Sequence, residues 1–448
     1  MISNEHLPND IDLYIIKGLE KAKKKKRGIR IRRGTGITSI LALAVFFSMI
    51  RMSPAFASYI SAIPGLEYIV DLIQWNKGLQ SAVDNEFIQN INVSDEHKGI
   101  VFTVKDIIVD NTSMVVFYSI ENKSQYKMPR LRNLNITDER NSKLKAAFDY
   151  GFAPYDGSIY NGRLNINFPG DEDPDFMIPG VIKLTANMEV GDPNFPEGQS
   201  HVLDDNWTVS IPIDKSRFEN MEKHYVIDQA VEIAGQRIVF ENVVIYPTRV
   251  AVDISFDNNN TMEIFAFENL MLVDEKGNEW GTIQDGVTMN HISDTKKRIF
   301  FQSNFFTVPK ELYIKGSGIR ALDKDEAEVV IDLDRKELIK SPDEKLQLME
   351  LKLGEKSLFV SFKLGSIPPS GSYTEFLSWN GFDGNNQELR REKEGRFTSE
   401  NQDYMEYDYE YTFEMPVKKL VRFQVIDYPN RIEKEFQVPI LPRDKSNK

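Results

Sequence analysis

From Asn85 onward the chain runs in short apolar alternations broken by Asn, Asp, Gly and Pro, the pattern of many antiparallel strands with one buried and one wet face. The stretch YMEYDYEYTF is the clearest case: Tyr407, Tyr409, Tyr411 and Phe413 fall on one side, and Glu406, Asp408 and Glu410 on the other. Upstream the period changes. In NDIDLYIIKGLEKAKKKKR, Ile11, Tyr14, Ile15, Leu19 and Ala22 share one helical face behind Asn9 or Asp10 as N-cap. Gly34 to Ile50 is then 17 residues without a charge between Arg33 and Arg51. As a helix that run covers about 25 Å, at the low edge of a membrane span. Past it, Ile60, Ile63, Ile69, Val70 and Ile73 predict a short helix lying in the outer membrane interface and starting near Pro64. Phe56, Tyr59, Tyr68 and Trp75 would sit at the headgroup layer.

The strand-rich part repeats itself. IVFTVKDIIVDNTSMVVFYSIENKS, from Ile100, matches IVFENVVIYPTRVAVDISFDNNN, from Ile238, with Ile107 on Val243, Thr112 on Thr248, Val116 on Val252, Ser119 on Ser255 and Asn122 on Asn258, a constant offset of 136. The same offset sets Asp138 on Asp274 and Glu139 on Glu275. A fainter third copy repeats the paired strands in LMELKLGEKSLFVSFKL and the Asp-containing turn in WNGFDGNNQEL. Its FQVPIL, from Phe436, echoes VSIPID, from Val209. Each unit has the size and strand spacing of an immunoglobulin-like sandwich. The expected fold is therefore mainly β: an N-terminal helix and one transmembrane helix, then three tandem immunoglobulin-like β-sandwich units. The segments are a cytosolic basic helix at 1–33, a signal anchor at 34–52, a juxtamembrane helical segment at 53–84, and sandwich units at 85–218, 219–341 and 342–448.

Charge adds topology to this outline. Ten Lys or Arg against four Asp or Glu precede Gly34, which leaves +6 there and −19 for the remainder of the −13 total. A basic foot beside an apolar run places the N-terminus in the cytosol and the acidic bulk outside. An acidic body also argues against nucleic-acid binding, which needs a basic surface. The absence of cysteine removes disulfides, Cys-zinc sites and thiol catalysis. Ala55-Phe56-Ala57 also reads as a cleavage signal, so the alternative is a secreted or wall-associated adhesive protein released after Ala57.

No catalytic motif stands out. The five histidines are scattered, the two Ser-x-x-Lys pairs lack their partner motifs, and no acidic pair can be singled out, so the chain is expected not to be an enzyme and to need no cofactor. GDEDPDF places Asp171, Asp173 and Asp175 in one loop as calcium candidates, without EF-hand spacing. Ile11, Ile15 and Leu19 are the candidate contact for a cytosolic partner.

SPAFASYISAIPGLEYIVDLIQWNKGLQSAVDNEFIQNINVS resembles the membrane-proximal region of a family of Firmicute single-pass proteins. The likeness runs from about Ser53 to Glu121 and more loosely to about residue 335. These proteins carry an extracytoplasmic domain of unknown function, often followed by a second uncharacterised β domain, and are commonly encoded beside extracytoplasmic-function sigma factors. The resemblance implies an anti-sigma-factor-like regulator or sensor of an envelope ligand. Characterised anti-sigma factors hold their partner with a multi-helix cytosolic domain, some of it zinc-bound. This chain has one helix before the span and no cysteine.

Overall fold

The computed structural model describes residues 67–151, 158–191, 200–283, 287–365, 375–398 and 404–441. The predicted cytosolic helix with Ile11, Ile15 and Leu19, the predicted span 34–52, and Phe56 and Tyr59 lie outside the described residues. Among the described residues no helix is long and apolar enough to cross a membrane.

Alternation becomes antiparallel sheet almost throughout, and the protein is mainly β. Two short helices come first, α1 (Glu67–Ile73) and α2 (Lys77–Asp84). The first group of strands is β1 (Gln89–His97), β2 (Ile100–Val109), β3 (Ser113–Asn122), β4 (Arg130–Thr137), β5 (Ala147–Tyr150), β6 (Ile159–Asn167), β7 (Val181–Val190), β8 (His201–Val202) and β9 (Trp207–Pro212). They form one sheet in the order β1-β2-β3-β6-β5 and a second in which β7 pairs with β4, β8 and β9. Buried Trp207 on β9 reaches across to donate its Nε1–H to Ile100 O at 2.8 Å, which joins the two sheets.

The second group is β10 (Lys223–Ile233), β11 (Gln236–Ile245), β12 (Arg249–Phe256), β13 (Met262–Glu268), β14 (Met271–Asp274), β15 (Glu279–Gly281), β16 (Met289–Ser293), β17 (Lys296–Gln302) and β18 (Leu312–Asp323). Its first sheet, β10-β11-β12-β17-β16, has the connectivity of β1-β2-β3-β6-β5. The offset of 136 holds in the backbone itself. The β1/β2 bulge between Asn90 and Val93 recurs between Val226 and Gln229, and the β2/β3 bulge between Val104 and Asp106 recurs between Phe240 and Asn242. A bulge needs one residue in an unusual conformation, and Asn92 and Asp228 both have positive φ.

The third group is β19 (Glu328–Asp332), β20 (Glu337–Lys340), β21 (Leu346–Leu353), β22 (Ser357–Gly365), β23 (Leu377–Asp383), β24 (Glu388–Thr398), β25 (Tyr404–Thr412) and β26 (Leu420–Val425). These make one eight-stranded sheet, β20-β19-β26-β23-β24-β25-β22-β21, joined through β24, whose start pairs with β23 and whose length pairs with β25. Buried Tyr407, Tyr409 and Tyr411 share one core with Phe362 and Phe423, so the sheet curves around its own inner face. The faint third copy is recognisable at its turn. Asp138, Asp274 and Asp383 each accept from the backbone N–H two and four residues later, at 2.7 to 2.9 Å.

The last strand, β27 (Arg431–Leu441), corrects the tandem arrangement. It was expected to close the third unit, yet it pairs with β18 and puts Val438 and Ile440 into the second core. In exchange, β19, assigned by sequence to the second unit, pairs with β26 of the third sheet. The two units therefore trade closing strands. Gly318 lies where β18 meets β27: its φ is +157°, and a Cβ there would fall 2.2 Å from Ile432 O.

Candidate functional site

Three parts of the chain meet at one buried joint. The loops between β2 and β3 and between β11 and β12, equivalent in the repeat, touch each other end to end. Asp110 accepts from Thr112 N and Oγ1 at 2.9 Å on one carboxylate oxygen and from Thr248 N at 2.8 Å and Oγ1 at 2.5 Å on the other. Ser113 Oγ completes the set against Thr248 Oγ1 at 2.6 Å. Arg249 donates to Thr112 Oγ1 at 3.0 Å, Thr112 O at 2.9 Å and Asn167 Oδ1 at 2.9 Å, and lies 4.0 Å over the Phe300 ring. Burial pushes its pKa down to about 10, so the guanidinium stays charged at neutral pH. Beside it lies a void of about 30 Å³, room for one water, and Asn167 Nδ2 is a buried donor that such a water would satisfy.

Helices α1 and α2 are the third part. Ile69 and Ile73 were expected to face lipid; both are buried in protein, as are Leu79, Ala82 and Val83. Tyr68 donates to Asp106 on β2, and Arg163 of β6 donates to Leu72 O at 2.8 Å. The next turn reaches the second sandwich: Lys77 N donates to Gln302 Oε1 at 3.0 Å, and Gln302 Nε2 to Trp75 O at 3.0 Å. Trp75 alone of the described interface candidates keeps an exposed side chain, at 68%. The correction has a simple cause: an apolar helical face has the same spacing whether it meets lipid or a sheet. Gly78 permits the approach, because a Cβ there would lie 2.4 Å from Ser303 N. Gly78→Ala is expected to destabilise the protein by about 2 kcal/mol and to raise amide exchange in α2 and at the end of β17. Unchanged exchange at both places would show that the helix is not seated there.

The acidic loop is part of the same assembly. Arg298 on β17 is held between Asp253 at 2.6 Å and Asp171 at 2.6 Å, which keeps its pKa above the ordinary arginine value despite burial. Asn290 donates to Glu172 Oε1 at 2.9 Å, and Lys145 pairs with Asp173 at 2.8 Å and holds its carboxyl below the usual range. Asp171 and Asp173 thus face different cations, and among the described residues no group of three or more candidate ligands gathers around a metal position. The loop docks the first sandwich onto the second.

A cavity of about 490 Å³ opens into the second sandwich beside the break between β13 and β14, a size typical of small-molecule sites. Phe256, Ile264, Phe267, Leu270, Met289 and Ile299 supply apolar walls, and exposed Asn269 and Thr288 mark where it meets solvent. Three cations line it. Arg320 is consumed by Asp427 at 2.8 Å and Glu268 at 2.7 Å, and Arg431 pairs with Glu268 at 3.2 Å. Lys297 differs: only 8% exposed, it donates to Ile264 O at 3.0 Å and makes no ion pair among the described residues. Burial lowers its pKa below the ordinary lysine value.

Residues 25–122 are similar to a domain of unknown function, DUF4179, and residues 222–353 to a family of unknown function, DUF5643. A conserved domain protein from Bacillus anthracis, known from its crystal structure, is 16% identical over 56% of this chain and 84% of its own, with a TM-score of 0.39. Comparison with curated proteins gives no match.

Sequence reasoning placed Asp171 and Asp173 in one loop but could not see the partners that occupy them. It passed over Lys297 altogether. In KKRIFFQ, Lys297, Ile299 and Phe301 face the second core while Arg298 and Phe300 face the first sandwich, so a strand buried on both faces hides the alternation that would single out an inward lysine.

Proposed function

We propose that this chain is a membrane-anchored extracytoplasmic binding protein with no catalytic role, in which the pocket of the second sandwich takes a ligand and the basic N-terminal helix contacts a cytosolic regulator. A sigma factor is the partner class implied by the family resemblance. The observation that carries this reading is the seating of α1 and α2 in the joint between the two sandwiches. Residues 67–84, which come after the predicted span, are packed against both sandwiches, which would let a change in the body act on the chain leading to the span. The charge-free run at 34–50 behind ten basic residues supports the anchor, and a cavity of small-molecule size with apolar walls supports binding.

The anchored form is expected to resist carbonate extraction from membranes, with a tag ahead of Lys21 protected from external protease on intact cells. Residues 1–33 on a carrier should recover a cytosolic protein that Ile11→Asp/Ile15→Asp does not. A mature N-terminus at Ser58 would sink this reading in favour of the secreted adhesive.

A further inference from the structure

We propose that the second-sandwich pocket binds a single-headed amphipathic carboxylate, its head on Lys297 and its apolar body along Phe256, Phe267 and Leu270. This rests on the reading of that pocket as the ligand site.

The argument starts from the charge count on the cavity wall. Asp427 and Glu268 are already committed to Arg320 and Arg431, so two acids balance two arginines. Lys297 brings a further positive charge with no carboxylate at ion-pairing distance among the described residues. Glu263 and Asp427 act on it only through space. An ammonium has three protons to donate; Ile264 O takes one. Taking such a group out of water costs several kcal/mol unless an anion and further acceptors compensate. An incoming carboxylate has two oxygens and about four acceptor sites, enough for the remaining ammonium protons.

The rest of the wall sets the body of the ligand. Phe256 and Phe267 are half-buried and stacked with centroids 6.3 Å apart, leaving apolar surface facing the cavity. A small inorganic anion would leave that surface wet, whereas an alkyl or aryl chain covers it at about 0.8 kcal/mol per buried methylene. The site belongs to the second unit alone. In the first unit Gly162 stands opposite Tyr118 as Lys297 stands opposite Ile254, so the equivalent position carries no ammonium.

The test uses the full chain in lipid nanodiscs, with empty nanodiscs subtracted, titrated calorimetrically with octanoate, octanol, octylammonium and octyl phosphate. Octanoate is expected to bind at least tenfold more tightly than octanol. Lys297→Met should erase that preference, and Lys297→Arg should retain it. Parent-level amide protection in β12 and β17 would show that the Met variant is folded. Equal affinity for octanoate and octanol in the parent protein, or undiminished octanoate binding by Lys297→Met, would overturn the assignment of the head group while leaving the pocket as a ligand site. Tighter octyl phosphate than octanoate would overturn the carboxylate in favour of a phosphate. If none of the four binds, the ligand-site reading itself fails.

Discussion

A chain ending at Asn430 is expected to lose its second sandwich while the third sheet remains formed. The deletion removes β27, which pairs with β18 from Leu312↔Leu441 to Arg320↔Arg431. Val438 and Ile440 leave the core, at about 1.5–3 kcal/mol each. Fully buried Leu312, Ile314 and Ile319 would then stand on an unpaired edge. Together these losses exceed about 5 kcal/mol, comparable with the whole stability of a typical domain. The third sheet has its closing strand already, since β19 pairs with β26 from Glu328↔Gln424 to Asp332↔Leu420. Hydrogen exchange followed by mass spectrometry separates the outcomes. Loss of protection in β11, β12 and β18, with β22 and β25 still protected, is the expected pattern. Protection lost only in the third sheet would mean that β27 belongs there after all.

Replacing Arg249 by Met should lower stability by about 3–5 kcal/mol, the usual cost of breaking a buried charged cluster from one side. Three hydrogen bonds disappear, and Thr112 O, Thr112 Oγ1 and Asn167 Oδ1 are left facing a thioether. The cation over Phe300 goes as well. The damage falls on the joint, while each sandwich keeps its own core. Calorimetry should therefore show the first sandwich melting separately from the second in the variant and together with it in the parent chain. Arg249→Lys retains the charge but not the planar fork, so it should fall between the two. A single transition at the parent temperature in Arg249→Met would show that the joint contributes nothing to coupling.

Much of the fold was legible because local rules carried it. The repeat at offset 136 placed Thr112 on Thr248 and Asp138 on Asp274, and the paired bulges and Asp turns appear at those positions. The alternation of YMEYDYEYTF put Tyr407, Tyr409 and Tyr411 inside, where they are. The candidate site was scarcely legible. Nothing in GDEDPDF names Arg298 or Lys145 as its partners, and nothing in KKRIFFQ says that the second lysine turns inward.

By itself the amino-acid order determined strand positions, the repeat, its turns and the separation of a basic foot from an acidic body, since period, turn chemistry and charge act over a few residues. The tertiary structure alone decided which sandwich each closing strand completes, which surface covers Ile69 and Ile73, and which charges are left without a partner. An apolar face or an ion specifies only that something complementary must cover it. What covers it here comes from residues far along the chain, 138 positions away for Thr248 on Asp110, and that choice is made by packing.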